Sequence, residues 1–265
     1  MEFDKDCIND IKHKIIDKNI GIGKDGYWKI TFMPSVDEET IDRLLTSARV
    51  AGVQIIKLDN TLKSNAFMAL PCNGELKIIC DRQITLPRNC SSLWMNLEYC
   101  DVDFTGVEAD DTFDVAEMFT WTKVRSVNMA TLKIKKMTTM YEMFADCDQL
   151  VNLNISSLDT SNVVEMTRLF MGCTKLKAVD ISNFAIRQDC ECREMLIDSG
   201  LQKIIVKDIA TKLLLEKLVA LPYYGEQDTK KYNIIAKEEG RCPSCFGQLK
   251  DLKCTCCGRT IDLDL

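Results

Sequence analysis

A repeating pattern over residues 100–206 is the feature that most constrains how this chain can fold. Apolar pairs separated by one residue recur there every 25 or 26 residues, at Val102/Phe104, Val127/Met129, Leu153/Ile155, Val179/Ile181 and Ile204/Val206. An aromatic residue follows the first member of each of the first three pairs by 17 residues, at Phe119, Phe144 and Phe170. A fixed period of this length is typical of solenoids, in which each unit is too small to hold a core alone.

Each unit has the pattern of a strand followed by a short helix. Polar and apolar residues alternate in residues 152–155, as they do in a half-buried strand. Met140 and Phe144 are four residues apart, which would place both on one face of a helical turn. Weaker copies upstream extend the pattern to about seven units, with strands near residues 53, 76, 102, 127, 153, 179 and 204.

The best-defined unit, residues 158–184 with the sequence LDTSNVVEMTRLFMGCTKLKAVDISNF, resembles the repeat of the BspA-like leucine-rich repeat proteins of bacteria. That repeat has the pattern D-T-S-N-V-x-x-M-x-x-M-F-x-x-C-x-x-L-x-x-L-D-L-S-x-F. The match is close over residues 137–184 and looser over 100–136 and 185–206. The resemblance implies an α/β solenoid, a leucine-rich-repeat-type right-handed coil of about seven 23–26-residue units. It also implies a role in protein binding, often at bacterial surfaces, and no catalytic residues.

The remaining sequence predicts three further regions. Residues 1–50 are not repetitive and predict a helix, a strand and a helix, which we interpret as an N-terminal cap; a small independent binding domain is the alternative. Residues 51–222 contain the repeats and a closing helix. Residues 223–240 form a polar connection to a small C-terminal zinc ribbon at residues 241–265.

The strongest chemical motif lies in that C-terminal region. Cys242, Cys245, Cys254 and Cys257 form two C-x-x-C pairs separated by eight residues. Four thiolates can bind Zn²⁺ tetrahedrally, and four protein ligands leave no position for substrate, so the spacing predicts a structural zinc site. A rubredoxin-like iron centre is the alternative metal, and Cys256 is an alternative to Cys257 as the fourth ligand.

Charge and strand alternation together predict a binding surface. The net charge is −6, and residues 100–206 contain 11 basic and 17 acidic side chains, which makes them a poor surface for nucleic acid. Outward positions of successive predicted strands form a polar, partly acidic stripe, for which we predict a protein partner with a basic surface. The stripe contains Asp101, Asp103, Asn128, Asn154 and Asp180.

These observations predict a non-enzymatic, cytoplasmic protein-binding scaffold. The first residues lack the basic-then-apolar order of a secretory signal, and no apolar run reaches the roughly 18–20 residues that span a bilayer. The single histidine, His13, has no neighbours that would suggest catalysis. Three alternatives stay open: an inhibitor of a host protein encoded by a phage or mobile element, a bacterial surface adhesin, and a nucleic-acid binder acting through the zinc ribbon.

Overall fold

The chain forms a mixed α/β fold around a seven-stranded, mostly parallel sheet. A computed structural model describes residues 2–16, 23, 26–58, 67–219, 234–236, 249–250 and 253–254. The α-helices are α1 (Lys5–Ile11), which continues as a π-helical turn (Lys12–Ile16), α2 (Glu38–Val50) and α3 (Ile209–Val219). The strands are β1 (Trp28–Met33), β2 (Ile56–Lys57), β3 (Phe67–Cys72), β4 (Glu75–Cys80), β5 (Cys100–Asp103), β6 (Ser126–Asn128), β7 (Asn152–Asn154), β8 (Ala178–Asp180), β9 (Lys203–Val206), β10 (Ile234–Ala236), β11 (Leu249–Lys250) and β12 (Lys253–Cys254).

The order of strands in the main sheet is β2-β3-β4-β1-β5-β6-β7. Strand β1 lies between β4 and β5 and is parallel to both, with Ile30 in register with Leu76 on one side and Val102 on the other. Strand β3 is antiparallel to both of its neighbours, β2 and β4, and β3 and β4 form a hairpin. Strands β8, β9 and β10 form a separate parallel sheet.

Alternation along each strand assigns one face of the main sheet to the core. Trp28, Ile30 and Phe32 of β1 are buried on that face, whereas Lys29 and Thr31 lie on the opposite, outward face. Helix α2 covers the outward face only at the β3–β4 end, where Leu45 packs in a second apolar cluster with Met68 and Ile79. The outward face of β5, β6 and β7 therefore has no covering element among the described residues.

The segments between the core strands are successions of tight turns instead of short helices. Two residues with left-handed backbone occur four residues apart in each of five successive segments, at Ser92/Asn96, Glu117/Trp121, Glu142/Asp146, Arg168/Gly172 and Glu194/Asp198. A left-handed residue breaks the helical hydrogen-bond pattern. The amides pair across segments instead, as in Phe119 N–H donating to the Met143 carbonyl at 2.9 Å. The predicted aromatic positions nevertheless stack, with ring centroids of Phe119 and Phe144 5.4 Å apart.

The predicted right-handed solenoid of about seven strand-plus-short-helix units is therefore wrong. Two findings overturn it: the predicted helical turns contain left-handed residues, and a non-repeating strand, β1, is inserted between β4 and β5. The antiparallel β3–β4 hairpin also departs from a uniform coil. Hydrophobic periodicity identifies which residues face the core, but it does not identify which strands are neighbours.

Several smaller predictions are confirmed. Strands occur at six of the seven predicted positions, and residues near 53 lie in a loop instead. The predicted helix, strand and helix of the first 50 residues correspond to α1, β1 and α2, and the closing helix corresponds to α3. Residues 1–50 also contribute Phe3, Ile11 and Trp28 to the main core. No helix in the described part of the chain has the length and apolarity needed to cross a membrane.

Candidate functional site

The five residues of the predicted stripe all lie on the outward face of the β5–β8 strands. Asp101 and Asp103 belong to β5, Asn128 to β6, Asn154 to β7 and Asp180 to β8. Asp103 is in register with Asn128, and Asn128 with Asn154, so these three form a continuous row. Asp180 belongs to the second sheet, and no strand pairing between β7 and β8 is found in the described residues.

Asp101 is part of a local network that holds β5 against β6. Its Oδ1 accepts hydrogen bonds from the backbone N–H groups of Arg125 (2.9 Å) and Ser126 (3.1 Å). Its Oδ2 accepts a hydrogen bond from Nη2 of Arg125 at 3.0 Å. The Arg125 guanidinium also lies 3.5 Å from the ring centroid of Tyr27, a cation–π contact that orients it further. The Asp101 side chain is only 17% exposed, so its main role is structural.

Asp103 is similarly occupied. Its Oδ1 accepts hydrogen bonds from Thr105 N–H (3.1 Å), Thr105 Oγ1 (2.7 Å) and Asn128 Nδ2 (2.9 Å), while its Oδ2 lies 3.5 Å from Nζ of Lys29. Partial burial acts to raise the pKa of Asp103, but the hydrogen bonds from Thr105 and Asn128 and the Lys29 charge outweigh it. The pKa of Asp103 is therefore lower than usual. Little of its charge is available to a partner.

The other three stripe residues terminate their strands. The side-chain oxygens of Asn128, Asn154 and Asp180 accept hydrogen bonds from backbone N–H groups two residues later, at 3.1, 3.3 and 3.0 Å. This arrangement is an Asx-turn, which starts the chain's departure from the strand. Asn154 and Asp180 are exposed, so they remain accessible to a partner while they perform this role.

Exposed apolar side chains lie in the loops that lead into β5, β6 and β7. Tyr99, Trp121 and Val151 are 46%, 55% and 50% exposed. The backbone N–H of Lys123 donates to the Leu97 carbonyl at 3.2 Å, which joins the first two of these loops. We call this region, residues 96–99, 121–125 and 146–151, the strand-entry edge.

Trp121 has an unusual backbone for its residue type. Its φ is +58°, a left-handed conformation that tryptophan rarely adopts. The equivalent position in the other four segments contains Asn96, Asp146, Gly172 or Asp198, all residue types that tolerate this conformation. Trp121 Nε1 donates to Asp146 Oδ2 at 3.0 Å, which fixes the orientation of the exposed ring.

A groove of about 510 Å³ opens on the outward face where β7 and β8 are not paired. Ser126, Asn128, Asn152 and Asn154 provide neutral polar groups to its lining, and Lys175 and Lys177 provide charge. Val127, Val151, Leu153 and Ala178 complete it. The groove is thus continuous with two residues of the predicted stripe, Asn128 and Asn154, and with the strand-entry edge at Val151.

The predicted metal ligands fall largely outside the described residues. Of the four, only the backbone of Cys254 is described: it pairs with Leu249 in the short antiparallel hairpin β11–β12. Cys242, Cys245 and Cys257 lie outside that part of the chain, as does the alternative ligand Cys256. Within it, no group of three or more His, Cys, Asp or Glu side chains is arranged to hold a metal ion.

The side chains of eight other cysteines are described, and all are buried free thiols. Burial raises the pKa of Cys7 and of Cys90 to about 12, and it raises that of Cys100 as well. The Sγ atoms of Cys190 and Cys192 lie 3.8 Å apart, and the hydrogen bond with Cys190, together with burial, raises the pKa of Cys192. The thiols of Cys7, Cys90, Cys100 and Cys192 are therefore protonated and unreactive at neutral pH.

Comparison with known proteins gives one result, which is confined to the repeating region. Residues 107–206 are similar to a family described as Mycoplasma protein of unknown function, DUF285, which is related to the BspA-like repeat proteins. The match covers 100 of the 265 residues and includes β6 to β9 and the turns between them. No match was found among curated proteins or among solved structures.

Sequence reasoning missed Lys175, Lys177 and Trp121. A signal for Trp121 was present, because aligning the units places it where the others have Asn, Asp or Gly. The lysines gave no such signal, because their importance depends on the groove, and the groove depends on the break in pairing between β7 and β8.

Proposed function

We propose that this protein is a non-enzymatic scaffold that binds another protein through the outward face of β5–β8 and the strand-entry edge. The observation that carries the proposal is the uncovered outward face: α2 covers its β3–β4 end, but no described element covers β5, β6 or β7. Exposed Tyr99, Trp121 and Val151 border that face. Tyrosine and tryptophan are enriched at the energetic centres of protein interfaces, which supports a protein partner.

A basic surface on the partner stays a prediction, and two of the three aspartates of the stripe no longer support it. Asp101 and Asp103 interact with Arg125 and Lys29, so they offer little free negative charge. Asp180, unlike these two, is exposed, so a basic partner could reach it. A cytoplasmic location also stays a prediction.

The experiment that tests the proposal is affinity capture from a lysate of the source cell, quantified by mass spectrometry. Val151→Asp would introduce a charge into the proposed interface. Val164→Asp is the matched control, because Val164 is 44% exposed and lies outside β5–β8, next to Glu165, which forms isolated parallel β-bridges with Thr139 and Glu191. We expect Val151→Asp to reduce a captured protein at least tenfold and the control to retain it. Equal capture by both variants, or no captured protein at all, would contradict the proposed interface.

We also propose that Cys242, Cys245, Cys254 and Cys257 hold one structural Zn²⁺ per chain. The β11–β12 hairpin begins between the two C-x-x-C pairs and ends at Cys254, the first residue of the second pair, and a hairpin of this kind can bring two cysteine pairs together. Bound zinc would stabilise a region too small to fold on its apolar content alone.

Metal analysis of purified protein tests the zinc site. We expect about one zinc per chain. It should be lost in Cys254→Ser and retained in Cys256→Ser, because Cys254 belongs to a C-x-x-C pair and Cys256 does not. Zinc retained in Cys254→Ser would exclude this ligand set, and iron in place of zinc would identify the rubredoxin-like alternative.

A further inference from the structure

We infer that the groove between β6 and β8 binds an acidic segment of a partner protein. The inference rests on the proposed function and names the chemistry of the partner at one place on the outward face. It depends on three properties of the groove: the sign of its charge, the lack of internal neutralisation, and its unused hydrogen-bonding groups.

The charge of the groove is opposite to that of the surrounding region. Residues 100–206 have a net charge of −6, yet no aspartate or glutamate is among the residues that line the groove, while Lys175 and Lys177 are. A third lysine, Lys203, is exposed on the adjacent strand and in register with Ala178, which lines the groove. Two cations therefore line the groove, and a third lies on the strand next to it.

These cations are not neutralised by neighbouring carboxylates within the described residues. Lys175 Nζ donates to the amide oxygen of Gln149, and Lys177 Nζ donates to the Thr174 carbonyl at 3.2 Å. Elsewhere on the same face the cations are paired, as Lys29 is with Asp103 and Arg125 with Asp101. An acidic ligand would therefore gain a favourable field in the groove without having to displace an existing ion pair.

Unused polar groups and one apolar group add to this electrostatic preference. The exposed Asn152 side chain makes no hydrogen bond in the described structure, and Asn154 uses only its oxygen, so both can donate to a carboxylate or to a peptide carbonyl. Val151 offers apolar contact at one side of the groove. The volume lies within the range of about 300–1,000 Å³ typical of ligand pockets, enough for a short chain segment.

The lining favours a peptide over single-stranded nucleic acid. Binding of single strands depends on stacking of bases on aromatic side chains, with additional contributions from arginine. The groove has neither residue type in its lining. Its cations are lysines, which attract any anion, so the choice between carboxylate and phosphate must be tested directly.

The test is fluorescence anisotropy with the full chain and three labelled probes of equal length. The probes are an octapeptide of alternating glutamate and serine, an octapeptide of alternating lysine and serine, and an octamer of uridine. The groove variant is Lys175→Gln with Lys177→Gln. The control variant is Lys133→Gln with Lys57→Gln, which removes two exposed lysines outside the groove and changes the net charge equally.

We expect the glutamate peptide to bind and the groove variant to weaken its binding about five- to tenfold, the effect of losing two exposed charge contacts. The control should change affinity less than twofold, and Lys175→Arg with Lys177→Arg should retain binding. The inference is overturned by equal weakening in the two glutamine variants, by stronger binding of the uridine octamer, or by binding of the lysine peptide alone. A protein captured equally by wild type and groove variant would also refute the groove while leaving the proposed function intact.

Discussion

Replacing Asp101 tests whether this carboxylate stabilises the fold, in contrast to Asp180, the exposed carboxylate of the same stripe. In Asp101→Ala, two backbone N–H groups and one guanidinium lose their acceptor. Hydrogen bonds typically contribute about 0.5–1.5 kcal/mol each, and those to charged groups about 1.5–3 kcal/mol. Water can reach this site in part, because the side chain is 17% exposed. We therefore expect a loss of about 2–3 kcal/mol in the free energy of unfolding.

Two further variants give this estimate its internal controls. Asp101→Asn retains Oδ1, which accepts both backbone N–H groups. It loses the ion pair with Arg125 and the hydrogen bond from Arg125 Nη2, because an amide NH₂ group replaces Oδ2; we expect a loss of about 1 kcal/mol. Asp180 is exposed, so water can replace its contacts, and Asp180→Ala should lose about 0.5 kcal/mol.

The assay is urea unfolding followed by circular dichroism, with zinc at the same concentration throughout. Midpoints are compared at constant slope, because a change in slope would indicate a change in the denatured state or a loss of two-state behaviour. The reasoning is refuted if Asp101→Ala falls within about 0.5 kcal/mol of Asp180→Ala. It is also refuted if Asp101→Asn is as destabilising as Asp101→Ala, because the ion pair would then dominate the network.

Three other predictions concern stability and reactivity. A Cβ at Gly200 would lie 1.9 Å from the carbonyl oxygen of Thr174, so Gly200→Ala should lower stability by about 1–3 kcal/mol. Gly52→Ala is the control and should lower stability less, because φ of Gly52 is +68° but nothing lies within 4 Å of the added Cβ. A lower unfolding temperature for Gly52→Ala than for Gly200→Ala would contradict this prediction. Burial raises the pKa of Cys90 to about 12, so a thiol reagent at pH 8 should label it only in urea, as mass spectrometry can verify. The pKa of Asp103 is lower than usual, so the stability that this carboxylate contributes is present above the unfolded pKa of about 3.9 and is lost as pH falls through the lower folded pKa. The stability of Asp103→Asn should therefore depend less on pH below about pH 4. An acid transition that is the same in this variant as in the wild type would argue against the contribution.

Strand positions were predictable from the sequence because alternation determines which side chains are buried. Apolar and polar residues alternate over much of residues 27–32, which correspond closely to β1 (Trp28–Met33), and the second helix predicted for residues 1–50 corresponds to α2 (Glu38–Val50). Asp37 caps helix α2, because its Oδ1 accepts a hydrogen bond from Thr40 N–H at 2.8 Å, although Ser35 is also of a residue type that caps helices. Both residues fit a cap by type, so local sequence did not distinguish them.

The neighbours of β1 and the nature of the turns were not predictable by the same reasoning. An alternating strand can pair with any strand that presents a matching apolar face, and nothing in the sequence of β1 specifies β4 and β5. Met140 and Phe144 are both buried, as a helical turn would require, but the left-handed residue Glu142 lies between them. A spacing of four is compatible with both structures, so the residues at the left-handed positions are the better guide.

The sequence predicted which residues of the stripe lie on the outward face, but it did not predict which charges on that face are neutralised. Alternation correctly assigned Asp103 and Asn154 to the outward face. The neutralising cation Lys29, however, comes from β1, whose position in the sheet was unknown, and the lysines of the groove precede β8. Electrostatic character depends on which residues meet in space, so it could not be read from the charges of the stripe alone.

Trp121 is the residue for which stability and binding should change in opposite directions. A left-handed backbone costs an ordinary residue about 1–2 kcal/mol, and the exposed hydrogen bond from Nε1 to Asp146 recovers only about 0.5–1 kcal/mol of this. Trp121→Asn places in this position the residue type that Asn96 has in the equivalent turn. We expect this variant to unfold at a higher temperature and yet to capture less of the partner. A variant that is less stable than wild type, or that captures the partner undiminished, would show that the exposed ring is held for a structural reason instead.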